Sequence, residues 1–322
     1  MSSATGVYSY SAVMMGSPIL LKLFSHSEAL AQQVFRLIKQ QENLLTVNRA
    51  HSEVMAINHA AGSHPVTVSA PVYALIRQAC EVSRLDGSSF NFAIGPLVKR
   101  WKIGFQGSSV PSADELHTLL ALTDPHRAVL DDAARSVFLP QRGMEIDLGA
   151  IAKGYIADRV RDFLHQQQVT CGLINLGGNV QTLGYPDGGE WSVGLKKPFA
   201  GPDALAGTIG VTHKSVVTSG VYERYFEHGG RCYHHILDPR TGYPLDNELL
   251  SVTVVSDNSI DGDIWTTLLF GLGVKESLLH LRDTPHVEAI FITRDGRVIC
   301  SSQRGYHFTL LDDSYRLSHG GL

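Results

Sequence analysis

Cysteine is scarce and dispersed: Cys80, Cys171, Cys232 and Cys300 are spread through 322 residues, and no two stand in a C-x-x-C spacing. That argues against a zinc site or a dense disulfide framework and fits a reducing compartment. An excess of charge of one sign is also missing. With 18% charged residues and a formal net charge of −4, the chain offers no polyelectrolyte surface for nucleic acid. No apolar run reaches the length needed to span a bilayer, and Met1–Leu23 has no basic segment followed by an uninterrupted apolar core. The expected location is the cytoplasm. Two catalytic signatures are missing as well. Gly177-Gly178 does not extend to G-x-G-x-x-G, so a dinucleotide-binding Rossmann reading fails on spacing. Ser219, between Thr218 and Gly220, has no G-x-S-x-G elbow around it, which sets aside a serine hydrolase. There is no internal repeat, low-complexity tract or clear linker.

What is present is ordinary globular material: 43% hydrophobic residues in a chain long enough for one large domain or two moderate ones. Apolar spacing predicts helices over Glu28–Leu45, Val72–Leu85, Pro111–Leu122 and Ala152–Leu164. Ser52 is placed to cap a short helical turn ending at Asn58, and Asp114 and Glu115 suit a helix N-terminus. Ser88–Phe105 carries aromatics on both sides of a Gly95-Pro96 break. Strands are expected over Ser17–Phe24, on either side of Gly177-Gly178, over Trp191–Leu195 and over Gly207–Thr212. Val129-Leu130 and Ser136–Leu139 form an expected hairpin, and Ser215–Arg224 passes through a tight Ser-Gly turn. After Thr267 a helix continues through Leu272, a second covers Lys275–Leu281, and Glu288–Thr293 with Val298–Ser301 makes a terminal hairpin.

The chemistry concentrates between Tyr233 and Thr267. A strand through His234-His235 breaks at Asp238-Pro239-Arg240-Thr241-Gly242, and a second, β-branched strand follows at Ser251–Val255. The two are expected to bracket a loop held at a sheet edge, closing on an acidic turn at Asp261–Asp263. Asp263 and Thr267 are four residues apart, so on a helix they share a face and direct two hard oxygens at one point, which suits Mg²⁺ completed by substrate phosphate. Lys153, just after Gly149 and Ala150 at a helix start, suits a phosphate. Each feature has a plainer alternative. Taken alone, Asp263 reads as a cap, His235 as a half-buried strand histidine, Lys153 as a solvated helix residue and Gly177-Gly178 as a bend.

The order of these blocks is more specific than any one of them. Met15-Gly16-Ser17-Pro18, Ser52–Asn58, Gly95–Val98 with Trp101, Asp147-Leu148-Gly149-Ala150-Ile151-Ala152-Lys153-Gly154-Tyr155, Asn175–Asn179, Thr218-Ser219-Gly220, His235–Gly242 and Asp263–Thr267 follow in succession. This succession resembles the ApbE family of FAD:protein FMN transferases across about residues 7–310. The resemblance implies a single α+β, T-fold-like domain of antiparallel sheets flanked by helices, with an active cleft between two subdomains. It implies Mg²⁺-dependent transfer of FMN from FAD to a threonine or serine hydroxyl of an acceptor flavoprotein carrying a Ser/Thr-Gly-Ala-Thr type segment, with release of AMP. By similarity the metal is held by the Ala150 carbonyl, Asp263 and Thr267. Asp147 and Lys153 match flavin-nucleotide contacts, and Met15, Ser89, Phe90, Asn91 and Leu237 match positions that enclose FAD. His235 matches the histidine expected to act as base or orienter for the incoming hydroxyl. Asn48 falls where many relatives carry an aromatic that stacks near the nucleotide, Asn91 where an aspartate is common, and Val221 where an acidic or amide residue is common. The alternatives are a metal-dependent FAD pyrophosphatase, which a small polar residue at Asn48 favours, and a flavin-binding protein without turnover.

Overall fold

Two residues separate the first strands, β1 (Tyr8–Met14) and β2 (Ser17–Leu23), which pair antiparallel from Met14↔Ser17 to Tyr8↔Leu23. Both turn residues, Met15 and Gly16, have positive φ, the geometry that matches strand twist across a two-residue connection. The computed structural model describes residues 6–320, so residues 1–5 of the Met1–Leu23 stretch lie outside the described residues.

The chain continues with α1 (Glu28–Leu45), α2 (Glu53–His59), β3 (Val66–Thr67), α3 (Ala70–Ser83), α4 (Gly95–Trp101) and α5 (Ala113–Leu120). Strands β4 (Val129–Asp131) and β5 (Ser136–Phe138) lead into α6 (Gly149–Gln166). Then come β6 (Gly172–Leu176), β7 (Asn179–Thr182), β8 (Trp191–Lys196), β9 (Leu205–Val211) and β10 (Ser215–Gly220). A hairpin of β11 (Tyr225–His228) and β12 (Arg231–His234) precedes β13 (Leu249–Ser256) and α7 (Ser259–Arg282). The last elements are β14 (Val287–Thr293), β15 (Arg297–Cys300), β16 (His307–Leu310) and β17 (Arg316–His319).

These elements fall into two units. The first comprises Met1–Gln41, Lys153–Gly220 and Glu248–Leu322. Its main sheet has nine strands in the order β1-β2-β6-β7-β10-β13-β14-β15-β17, antiparallel except between β15 and β17. A second sheet, β16-β9-β8, supplies Trp191, Leu195, Ile209 and Val211 to a core shared with Val180, Val216, Val255 and Ile290 of the main sheet. Strand alternation explains the other face: Val216 enters that core, while its neighbour Val217 lies beneath Gly262 of α7. Helix α7 breaks at Gly273, where φ is 77° and ψ 176°. The Glu248 carboxylate accepts the Val274 N–H at 2.8 Å and so begins the second helical segment.

The second unit comprises Glu42–Ala152 and Val221–Asn247. It holds α2–α5, the sheet β3-β5-β4 and the β11–β12 hairpin. Its helices are capped by local chemistry: Ser52 Oγ accepts the Met55 N–H, and Ser112 with Glu115 forms a capping box on α5. Leu97, Trp101, Ile103, Leu116 and Leu237 form a core in which the Trp101 ring meets Phe226, Tyr233 and Tyr243. The Trp101 Nε1–H donates to the buried Gly242 carbonyl at 2.8 Å, which pins the Asp238–Gly242 turn.

Several sequence expectations are corrected. Gly95-Pro96 opens α4 and does not interrupt the segment, because proline is tolerated in a first helical turn. Ser219-Gly220 is not a turn; both residues are paired strand, opposite Val252 and Ser251. The strands on either side of the Asp-Pro turn do not share a sheet, since β12 pairs with β11 and β13 lies between β10 and β14. Asp261 and Asp263 already lie within α7, which begins at Ser259. The β14–β15 hairpin is followed by β16 and β17. The helical break after Leu272 and the α1 boundaries are as expected.

Trp101→Phe retains most of the ring but strands the buried Gly242 carbonyl. It should lower stability by about 1–3 kcal/mol, the cost of an orphaned buried acceptor, read from the urea midpoint; an unchanged midpoint would remove that anchoring role.

Candidate functional site

The most constrained polar group in the first unit is the Asp263 carboxylate, 8% exposed in the second turn of α7. Its Oδ2 accepts the Gly154 N–H of α6 at 2.5 Å, and its Oδ1 accepts the Asn179 Nδ2–H at 3.1 Å. Helix α6 reaches this close only because residue 154 has no side chain. A Cβ there would come within 2.5 Å of the Ser259 carbonyl and 2.7 Å of Asp263 Oδ2. One turn further along α6, Asp158 accepts the Ser259 and Ile260 N–H groups at 2.7 and 3.0 Å, satisfying the first donors of α7. Burial pushes the Asp263 carboxyl up to about 7, opposed by the Gly154 N–H, the Asn179 amide and the charge of Lys153. Burial likewise raises Asp158, against the two N–H bonds from α7 and the Arg161 charge.

Around this group the same unit places three residues singled out from sequence. Thr267 is half-buried, and its hydroxyl donates back to the Asp263 carbonyl at 3.3 Å, which fixes Oγ1 on the face that carries Asp263. Lys153 Nζ donates to Ser17 Oγ at 3.1 Å. Gly177 leaves room for that pair, since a Cβ would meet Ser17 Oγ at 2.7 Å and Lys153 Nζ at 3.1 Å. Met15 lies in the β1–β2 turn beside Ser17.

The second unit holds the rest. Asn58 pins the segment before α6 by exchanging two bonds with the Ile146 backbone, accepting its N–H at 2.7 Å and donating to its carbonyl at 2.9 Å. The next residue, Asp147, donates its N–H to the Phe92 carbonyl at 2.9 Å and accepts the Gly149 N–H on Oδ1 at 2.7 Å. Asp147 is only half-buried by surface area, yet the dense protein around it pushes its carboxyl above the usual range, against the Gly149 N–H and the Arg224 charge. Ala150 is exposed in the first turn of α6. Ser89 and Phe90 are buried, and the Asn91 amide is engaged with the Thr123 carbonyl and the Ala93 N–H, each at 2.8 Å. Leu237 is a core residue beside Trp101, and Asn48 is exposed with its N–H on Thr46 Oγ1 at 3.1 Å.

His235 extends the β11–β12 ladder by one pair: its N–H and its Nδ1 both meet the Arg224 carbonyl, at 3.1 and 3.2 Å. A carbonyl only accepts, so Nδ1 carries the proton, and in the neutral ring Nε2 is the basic nitrogen. Arg224 itself packs over the Phe105 ring at 5.5 Å.

The donors fit a hard divalent cation. Asp263 accepts one N–H on each oxygen and keeps lone pairs in reserve, and Thr267 on the same helix adds a hydroxyl oxygen. Among the described residues no group of three or more His, Cys, Asp or Glu side chains is placed to hold a metal, so a soft or nitrogen-rich cage does not describe this set. Sequence reasoning singled out Asp263, Thr267 and Lys153 but assigned nothing to Asn179, Asp158, Ser259 or Ser17. Asn179 follows the double glycine directly, the local signal that marked its block.

A solved structure shares this architecture: the ApbE protein of Thermotoga maritima superposes with a TM-score of 0.81, at 29% identity over 91% of this chain and 96% of that one. The class is thus the α+β fold of sheets flanked by helices found in ApbE proteins. Residues 15–291 match the ApbE family, and the chain belongs to it. It is similar to the FAD:protein FMN transferase of Klebsiella pneumoniae (strain 342), 63% identical over 97% of both chains. The protein of that name from Treponema pallidum (strain Nichols) is 38% identical over 92% of this chain and 87% of the relative.

Because Asp158 has a raised pKa, the native state holds its proton more tightly than the unfolded chain does. The stability this group contributes is complete below the ordinary carboxylate pKa and is lost as pH rises through the elevated native value. Asp158→Asn should therefore flatten the decline in stability as pH rises above the ordinary carboxylate range, relative to wild type, in urea midpoints taken across that rise. Parallel profiles would contradict it.

Proposed function

We propose that this chain is an FAD:protein FMN transferase that moves FMN from FAD onto a threonine or serine hydroxyl of an acceptor flavoprotein, releasing AMP. The observation that carries this reading is the 63% identity, across 97% of both chains, to a protein of that name. In the reaction the acceptor oxygen forms a bond to the FMN phosphorus, the pyrophosphate P–O bond breaks, and AMP departs with the bridging oxygen. The hydroxyl proton passes to Nε2 of His235, whose ring is oriented by the Arg224 carbonyl on Nδ1.

Asp263, Thr267 and the Ala150 carbonyl are the proposed Mg²⁺ ligands. When bound, the ion neutralises charge developing on the pyrophosphate. Lys153, steadied by Ser17, is the proposed cationic contact to phosphate, and Asp147 the polar contact to the flavin nucleotide. Because the Phe90 side chain is 2% exposed, the Ser89–Asn91 segment is proposed to meet FAD through its backbone and not as an aromatic wall. Met15 and Leu237 complete the proposed enclosure, with Asn48 at its nucleotide side. Among the described residues no helix is long and apolar enough to cross a membrane. The proposed acceptor is a cytoplasmic flavoprotein with a Ser/Thr-Gly-Ala-Thr type segment.

The test incubates the protein with FAD, Mg²⁺ and such an acceptor, following acceptor mass and free nucleotides. The expected result is an acceptor heavier by FMN less water, with equimolar AMP. Free FMN and AMP beside an unmodified acceptor would replace transfer by hydrolysis. His235→Ala should slow transfer by about 10²–10⁴-fold while FAD still binds. Equal rates for that variant and wild type would remove His235 from the proton transfer.

A further inference from the structure

Asn179, Ser259 and Asp158 are each nine-tenths or more buried, at 3%, 0% and 9% exposure, and the reaction outlined above uses none of them. They nevertheless form one continuous chain of bonds ending on Asp263. Asp158 Oδ1 accepts the Ser259 N–H at 2.7 Å, Ser259 Oγ donates to Asn179 Oδ1 at 2.6 Å, and Asn179 Nδ2 donates to Asp263 Oδ1 at 3.1 Å. The direction of this chain follows from its end. An ionised carboxylate only accepts, so the amide must turn its nitrogen toward Asp263; its oxygen then faces Ser259, whose hydroxyl must donate. With the hydroxyl gone, the amide oxygen becomes a buried acceptor without a donor, and the amide loses the group that selects its orientation.

We propose that Asn179 and Ser259 are positioning residues for a divalent-cation ligand. Ser259 sets the rotation of the Asn179 amide, and that amide, with the Gly154 N–H on the other oxygen, holds the Asp263 carboxylate in the one orientation that presents its remaining lone pairs to the ion. Asp158 fixes where Ser259 sits. This rests on the metal role of Asp263 given above. It also explains why Asn179 follows the double-glycine turn immediately: the β6–β7 hairpin pairs Leu176 with Asn179 and so delivers this amide at the first strand position.

The experiment is titration of the full-length protein with Mn²⁺, followed by electron paramagnetic resonance, and with Mg²⁺, followed by calorimetry, both without FAD. Wild type is expected to bind and Asp263→Ala to lose binding. Asn179→Ala and Ser259→Ala should each weaken affinity by about 10- to 100-fold, the usual effect of removing a ligand's orienting partner. Asn179→Ala opens a hole and can lower stability, so Ser259→Ala, which removes one oxygen, carries the test, with metal-free melting temperatures as the control for folding. In the double variant, Ser259→Ala should add little to Asn179→Ala, since both act through one amide. Wild-type affinity in both single variants, with Asp263→Ala defective, would overturn the orienting chain while leaving the metal ligand standing. Undiminished binding by Asp263→Ala, or none by wild type, would overturn both.

Discussion

The bond between the Gly154 N–H and the Asp263 carboxylate is the interaction on which the first unit's polar centre depends. A carboxylate removed from water is costly unless donors surround it, and here the donors come from elements far apart in sequence. Helix α6 supplies a backbone N–H, β7 an amide, and Lys153 a nearby charge. The close approach that delivers the N–H also lets Asp158, one turn along the same helix, cap the start of α7. One crossing therefore both satisfies a buried charge and terminates a helix.

The second unit solves a different problem, that of fixing irregular backbone. Loops have no ladder to hold them, so three of the irregular stretches beside candidate residues are tied by long-range bonds. Asn58 holds the segment before α6, the Phe92 carbonyl receives Asp147, and Trp101 holds Gly242. His235 is fixed differently, by continuing a hairpin ladder past the last formal strand pair. A ring oriented through backbone on both its main chain and its Nδ1 needs no carboxylate partner to define its tautomer.

Much of this was legible in the residues. The amphipathic spacing of α1, the Ser52 cap, the β-branched run of β13 and the Leu-Gly-Val break in α7 are local signals, and local physics writes them directly. The succession of short motifs carried the family. What remained hidden was set by partners distant in sequence. Nothing near Asn179 announces that its amide meets a carboxylate 84 residues away, or near Asp158 that it caps a helix beginning 101 residues later. Ser219-Gly220 carries the composition of a turn yet runs straight, because β13 pairs with both residues, a partner that turn propensity does not record. Gly95-Pro96 shows the same limit: the dipeptide suits both a break and a helix start, and only the core beneath Leu97 and Trp101 decides.

Two tight hairpins meet at one end of the main sheet. The β1–β2 turn and the β6–β7 turn each have two residues, both with positive φ, and β2 pairs with β6 so that Ser17 lies against Gly177. Side chains alternate across a strand, so one residue inserted into either turn would have to be absorbed as a bulge or would rotate Ser17 or Asn179 to the opposite face. Among related chains, length variation should be excluded from these two connections even where their residues drift, and should collect in the stretch between β8 and β9, which holds no residue of the polar centre.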